Sequence, residues 1–196
     1  MSRRRCAVVV LALLAAISPI LAQTGRVRVR VTDPLGARIA GAEVSLLGAD
    51  QRTVNRTGRS DRTGEATFSA VSTGDCAALV SAPGFKKIKI IGLTIRSEEE
   101  TLIDAKLQVL SINIDYVDGI GPLPLESVHV RAVDTHGAPI LSAHGWVICD
   151  AVLQPVLLGE MSFTAVSPYP GIVIAADGFE SRLIDPAQVA GDVILR

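Results

Sequence analysis

Three histidines are the residues of this 196-residue chain whose chemistry and proximity first suggest a site. His129, His136 and His144 fall within 16 residues of one another, and Asp134 and Asp150 lie nearby. Imidazole and carboxylate groups bind zinc, but short zinc motifs place two histidines at a tight spacing that no pair of these histidines has. The spacing favours exposed or hydrogen-bonded histidines. No metal and no cofactor is expected.

Other arrangements that could support catalysis are also missing from the sequence. No serine stands in a Gly-x-Ser-x-Gly elbow, the turn that exposes the nucleophile of α/β-hydrolases. Glu65 and Glu160 occur in two similar segments, so we expect them in different domains and not across one cleft, as a glycosidase requires. We therefore predict no catalytic residues and no enzyme activity. An enzyme with an unrecognised site is the third-ranked alternative.

The N-terminal segment predicts the compartment of the protein, and the compartment decides whether its cysteines can form a disulfide. Arg3, Arg4 and Arg5 precede an apolar run over residues 6–17, and a small residue, Ala22, offers a cleavage point. This is the pattern of a secretory signal peptide over residues 1–22. The apolar run is shorter than the roughly 20 residues of a spanning helix, and an uncleaved anchor is the alternative. The mature chain is expected to be secreted or periplasmic, in the cell envelope, with no membrane span.

Export would permit a disulfide between the two cysteines that remain after cleavage. Cys76 and Cys149 lie in opposite halves of the chain, so a bridge would join the halves. Two cysteines are not a disulfide framework, however, and two buried thiols are the alternative.

The mature chain has the pattern of many short strands. Residues 25–33 read GRVRVRVTD, in which valine and arginine alternate, and Asp33 to Gly36 follow with turn residues. A period of two with one apolar face predicts a half-buried strand. Further alternating or apolar runs occupy residues 42–46, 66–70, 76–82, 85–91 and 101–109. About seven short strands in so short a segment are typical of a β-sandwich.

The segment GEATFSAVS over residues 64–72 returns as GEMSFTAVS over residues 159–167. Three further pairs of segments match in the same order: residues 33–36 with 134–137, 82–85 with 176–179, and 104–107 with 192–195. Ordered matches of this kind indicate an internal duplication. We predict a first domain over residues 23–109, a strand or linker over 110–125 and a second domain over 126–196.

The duplication also predicts core positions within each copy. Phe68 and Phe163 are expected to fill equivalent core sites. Two alanines of the first copy, Ala66 and Ala70, are expected on the same face as Phe68, and Met161 and Ala165 beside Phe163.

Four stretches of the first half carry a family resemblance: GRVRVRVTDPLGARIAGAEVSL, GEATFSAVSTGD, VSAPGFKKIKI and ETLIDAKLQV. Together they resemble a carboxypeptidase regulatory-like domain, a transthyretin-like (prealbumin-type) β-sandwich, and the second half resembles a degenerate copy. The resemblance implies an all-β fold of two tandem seven-stranded Greek-key β-sandwiches after the signal peptide. It implies an accessory domain and no peptidase activity, because the catalytic domain of such carboxypeptidases has no counterpart here.

The net charge and the aromatic content limit the classes of binding partner that we expect. Residues 23–108 carry a net charge of +3 and residues 109–196 a net charge of −7. The basic segments lack the interleaved aromatic residues on which nucleic-acid bases stack, so no nucleic-acid partner is expected. We predict an exported, non-enzymatic binding or scaffolding protein that contacts a protein partner or an envelope component.

The alternative function is a carbohydrate-binding module, since this sandwich type is used in that way. Flat aromatic rings form sugar platforms, and the candidates are Trp146, Tyr169 and Tyr116. If Ala143 corresponds to Ala42, Trp146 faces out of its sheet, whereas a slip of one residue turns it into the core.

Overall fold

A computed structural model describes residues 23–110, 125–148, 156–157, 160–166, 171–185 and 191–196, with side chains for these except 125–128, 147, 156–157 and 160–166. The predicted signal peptide and four candidate site residues lie outside the described residues: Tyr116, Cys149, Asp150 and Tyr169. Every regular element in the described part is a β-strand, as predicted. No helix of the described ranges is long and apolar enough to span a membrane.

Eight strands are described in the first half of the chain. They are β1 (Thr24–Thr32), β2 (Ile39–Ala40), β3 (Glu43–Leu47), β4 (Val54–Arg59), β5 (Glu65–Ser72), β6 (Gly74–Ser81), β7 (Ile88–Ile95) and β8 (Glu100–Lys106). They form a three-stranded sheet of order β5-β1-β8 and a four-stranded sheet of order β4-β3-β6-β7. The valines of β1 are fully buried and its arginines are not, so the predicted alternation sets which face meets the core.

The described part of the second half contains eight more strands. They are β9 (Leu125–Val133), β10 (His144–Ile148), β11 (Val156–Leu157), β12 (Glu160–Val166), β13 (Gly171–Ala175), β14 (Phe179–Glu180), β15 (Arg182–Ile184) and β16 (Gly191–Ile194). Their sheets have the orders β12-β9-β16 and β11-β10-β13-β15. These orders repeat those of the first half strand for strand, with one antiparallel and one parallel neighbour for β1 and for β9.

The strands that contain the repeated segment, β5 and β12, have the same register in both halves. Phe68 lies opposite Val27 across β5 and β1, and Phe163 lies opposite Val128 across β12 and β9. The two halves also end β1 and β9 with the same turn, in which one aspartate Oδ1 accepts two backbone N–H groups. The division into two tandem domains stays a prediction, but the backbone pairing that it requires is present.

One predicted core position is wrong. Ala66 and Phe68 are buried as expected, but Ala70 is exposed and Val71 is buried in its place. A β-bulge shifts the β1–β5 register between Gly25 and Val27, and Ala70 adopts a φ of 52°. An extra residue on one strand reverses the in-and-out alternation beyond it, which the sequence pattern does not reveal.

The predicted strand over residues 85–91 begins later than its apolar pattern suggests. Phe85 forms an isolated bridge with Val109, and the N–H of Lys86 donates to the Gln108 carbonyl at 2.7 Å, so β7 starts at Ile88. Phe85 is buried although it lies outside a strand. This loop lies where the two halves meet.

The buried residues form two clusters that do not coincide with the two halves. One cluster holds the core of the first half together with four residues of the second, Trp146, Ile148, Val173 and Ala175. The other is confined to the second half and includes Ile172 and Ile174 of the same strand, β13. The sheet of β10 and β13 is therefore buried on both faces, one against its own core and one against the first half.

Candidate functional site

The junction between the two halves brings together two of the sequence-predicted site residues, His144 and Trp146. It is built from the outer face of β10, the turn that follows β1, and the loop before β7. Ala143 is fully buried, like Ala42, so the first of the two predicted registers is the one observed. The side chains of β10 that then point out of the sheet, His144, Trp146 and Ile148, meet the first half and are buried.

Trp146 is 2% exposed. Its ring makes edge-to-face contacts with Phe85 of the first half, at 5.8 Å between centroids, and with His144, at 4.8 Å. Such contacts add to the apolar area that an indole buries. Neither face of the ring is open, so Trp146 does not offer the platform that sugar binding requires.

His144 and Asp33 form a buried pair across the junction. The side chains are 5% and 0% exposed, and His144 Nε2 lies 2.5 Å from Asp33 Oδ2. The second ring nitrogen, Nδ1, lies 3.2 Å from the carbonyl oxygen of Ser142. Asp33 Oδ1 accepts the N–H groups of Leu35 and Ala37 at 2.8 and 2.9 Å, so the carboxylate caps its own turn and binds His144 at the same time.

Backbone pairing adds a second connection between the halves. The short strands β2 and β14 pair in parallel, with Phe179 opposite Ile39. Beside them the N–H of Arg38 donates to Asp177 Oδ1 at 2.9 Å, and the N–H of Gly178 donates to the Arg38 carbonyl at 3.0 Å. These bonds fix the position of the second half along the edge of the first.

A close backbone approach completes the junction at Gly84. Its φ of 82° favours glycine, and a Cβ there would lie 2.6 Å from two methyl carbons of Val173. The buried Ser181 hydroxyl donates to the Pro83 carbonyl next to it at 2.9 Å. Glycine at this position lets the loop lie against β13.

Two shallow cavities flank the junction at the surface, with volumes of about 350 and 320 Å³. Pro83 and Glu180 line both of them. The first also contains Arg182 and Arg196, and the second contains Glu43 and Arg59. Charges of both signs at an open groove suit contact with another polar surface better than enclosure of a small molecule.

The three histidines lie on separate elements. His129 is exposed on β9, and His136 is exposed in the turn after β9, with its Nδ1 3.9 Å from Asp134 Oδ2. Only His144 is buried. Within the described ranges no three His, Cys, Asp or Glu side chains are grouped so that they could hold a metal ion.

Glu65 belongs to a charged surface on the sheet of β1. Its carboxylate contacts Arg28 at 3.5 Å and Arg30 at 3.4 Å, and the same arginines reach Glu100 and Asp104. The side chain of Glu160, which is the counterpart of Glu65 in the repeated segment, is not described. On the second half the corresponding surface carries the Arg131–Asp192 pair, with both contacts at 2.7 Å.

Cys76 is a free and buried thiol in this structure. Burial raises the pKa of its thiol, and the neighbouring Asp75 carboxylate raises it further. An apolar site of this kind makes a thiol unreactive. A bridge to Cys149 stays a prediction.

Sequence reasoning missed Asp33 as a junction residue. The sequence predicts that Asp33 caps a turn, and it does. The same pattern predicts a capping role for Asp134, which also caps its turn but has no buried histidine beside it. Because the two turns have the same sequence pattern, nothing local distinguished the one that meets the other half.

Several proteins of known structure are similar to the chain, all at low identity. The Bacillus anthracis TIE protein has 12% identity and a TM-score of 0.40, over 89% of this chain and 34% of that one. A streptococcal ancillary pilin has 14% identity and a TM-score of 0.37, over 89% and 62%. A D295N variant of the shaft pilin SpaA from Lactobacillus rhamnosus GG has 9% identity and a TM-score of 0.37, over 88% and 98%.

The chain thus spans about a third of the TIE protein and 62% of the ancillary pilin. No curated protein matches it. The model of one protein family, the carboxypeptidase regulatory-like domain, matches residues 26–108. This segment contains β2 to β8 and most of β1, together with Asp33 and the Gly84 loop of the junction. Residues 26–108 are therefore a carboxypeptidase regulatory-like domain, as their sequence resemblance predicted.

Proposed function

We propose that the protein is an exported, non-enzymatic scaffold, in which two tandem β-sandwich domains are fixed to each other and present their surfaces to a protein partner or an envelope component. The observation that carries the proposal is the junction. A sheet of the second half is covered by the first half through Trp146 and the buried His144–Asp33 pair. A buried apolar contact of this kind resists relative motion of two domains, which a scaffold requires.

The exposed surfaces are consistent with this role. Ion pairs cover the face of the β5-β1-β8 sheet, and the two junction cavities are open and charged. In the described part, β4 and β7 are the edge strands of the β4-β3-β6-β7 sheet. An edge strand can accept a strand from a partner. The net charges of +3 and −7 give the two halves different electrostatic preferences.

Two measurements test the proposal. If the chain is exported with signal cleavage after Ala22, intact mass spectrometry of the envelope fraction will find a mature protein that starts at Gln23. If the halves are fixed, NMR relaxation of the mature protein will give one rotational correlation time for both. A full-length protein in the cytosol, or two independent correlation times, would contradict the proposal.

The carbohydrate-binding alternative now depends on aromatic residues other than Trp146. Tyr169 and Tyr116 are the remaining candidates, and both lie outside the described residues. Binding on a glycan array that disappears in Tyr169→Ala, and persists in the conservative Tyr169→Phe, would favour this alternative.

A further inference from the structure

We propose that His144 and Asp33 form a pH-sensitive latch between the two halves, closed when the imidazole carries both protons and weakened when the surrounding pH rises above neutrality. The latch is a property of the folded chain. Its use by the cell rests on the proposed export, because an exported protein meets the pH of its surroundings.

The geometry fits a doubly protonated ring. Nε2 faces a carboxylate oxygen of Asp33, and Nδ1 faces the carbonyl oxygen of Ser142. The other Asp33 oxygen accepts two backbone N–H groups. A carboxylate carries no proton, so its second oxygen also acts as an acceptor. Because both groups that face the ring are acceptors, only an imidazolium with two N–H donors satisfies both contacts.

Loss of one proton breaks one of these two contacts. A neutral imidazole has a single N–H, so either Asp33 or the Ser142 carbonyl would lose its donor. Asp33 is fully buried, so its carboxylate without the imidazole donor is costly because water does not replace the lost bond. The Ser142 contact is only part-buried, and its loss costs less. The same ring packs against Trp146, so a weaker latch loosens the aromatic contact that joins the halves.

The charged surroundings add no competing partner at the ring. The strands that flank His144, β11 and β13, carry no charged residue, and neither does the rest of β10. The segments that meet at the junction bring Arg38, Lys86, Lys87, Asp177 and Glu180. Lys86 is half-buried and the other four are exposed, and the ring nitrogens contact Asp33 and the Ser142 carbonyl instead. Asp33 is therefore the charge that governs the ring.

The direction of the pH dependence follows from the balance at His144. Burial by itself lowers the pKa of the imidazole, but the hydrogen bond to Asp33, the charge of Asp33 and the Ser142 carbonyl together raise it above its ordinary value of 6.5. A group whose pKa is raised by folding stabilises the protein fully below its unfolded pKa and loses that contribution as the pH rises through the folded pKa. The latch is thus at full strength below about pH 6.5 and weakens above it.

Thermal unfolding of the mature protein, from Gln23 to Arg196, tests the latch when it is followed by tryptophan fluorescence. Trp146 is the one tryptophan of the sequence and lies against His144, so its emission reports the junction. We expect His144→Gln to lower Tm at pH 6 by about 5–10 °C, since it removes the charged partner of a buried carboxylate. The difference from the wild type should shrink to less than half at pH 9.

The duplication provides matched controls. His136 lies in the turn of the second half, which has the same hydrogen bonds, but its ring is exposed. Between pH 6 and pH 9, His136→Gln should therefore have a Tm–pH curve parallel to that of the wild type. Over the same range Asp33→Asn should flatten the curve as His144→Gln does, whereas Asp134→Asn should leave its slope unchanged, because the lowered pKa of Asp134 lies below that range.

An independent measurement decides the case even if the junction variants fail to fold. NMR titration of the three histidines in the wild type should place the midpoint of His144 above that of exposed His136. A His144 midpoint at or below the His136 midpoint would overturn the proposal, and so would parallel Tm–pH curves for the wild type and His144→Gln.

Discussion

The outer face of β3 is open to solvent at Glu43 and partly open at Ser45, whereas the outer face of β10, its counterpart in the second half, is buried. The matched registers place Glu43 and Ser45 of β3 where β10 has His144 and Trp146. Glu43 is exposed and Ser45 is half-buried, but His144 and Trp146 belong to the contact between the halves. Two strands with the same pairing therefore carry different side chains on their outer faces. Because of this difference, the outer face of β10 packs against the first half, whereas Glu43 and Ser45 of β3 do not lie in that contact.

The largest expected effect comes from the centre of this contact. Trp146→Ala should destabilise the protein by about 3–5 kcal/mol, because it removes a large buried ring and leaves a cavity between the halves. The matched variant Ser45→Ala should change the free energy of unfolding by less than about 0.5 kcal/mol. Urea denaturation of both measures the contrast. A cost below about 1 kcal/mol for Trp146→Ala would mean that the halves are not joined through this face.

The equivalence of the two echoed strands can be tested next. Phe68 is buried in the first half, and Phe163 has the same register in the second. Phe68→Ala and Phe163→Ala should each cost about 3–5 kcal/mol in urea denaturation. A negligible cost for Phe163→Ala alone would show that the second copy of the strand does not use its phenylalanine as the first copy does.

A smaller effect is expected at the close approach of the two halves. Gly84→Ala should cost about 2–4 kcal/mol, since alanine is strained at positive φ and its Cβ would also meet Val173. Gly36→Ala has the same backbone strain and open space around its Cβ, so it should cost only about 1–2 kcal/mol. Thermal denaturation compares the two. The double variant Gly84→Ala/Val173→Ala should relieve the clash, and a cost unchanged from Gly84→Ala would contradict it.

The smallest effect is expected at the exposed ion pairs, where the two halves resemble each other. The Arg131 hydrogen bonds and charge lower the pKa of Asp192, so this pair contributes above about pH 3.8 and is lost as the pH falls through the lowered value. Both side chains are close to half exposed, and solvent screens them. Asp192→Asn and its counterpart Asp104→Asn should each change Tm by about 2 °C or less at pH 7. A larger loss for either would assign that pair a structural role.

Much of the strand content could be predicted from the sequence because alternation of small β-branched residues is a local signal. The valines of β1 and the turn at Asp33 lie where the pattern placed them, and the echo at residues 64–72 and 159–167 has matched registers. The position of Ala70 was wrong because a bulge reverses the alternation without a signature in the side chains. The family resemblance of residues 26–108 also followed from local motifs, and the family match confirms it.

The sequence by itself thus determined an all-β chain whose first half is a carboxypeptidase regulatory-like domain, and it left two registers open for Trp146. Only the tertiary structure decided that the outer face of β10 is covered, that His144 finds Asp33 across 111 positions of sequence, and that Gly84 lies against Val173. The reason is physical: a period of two specifies the side of a strand on which a side chain lies, whereas burial of that side depends on which other surface docks there. Equivalent positions in two copies of one strand therefore have opposite environments.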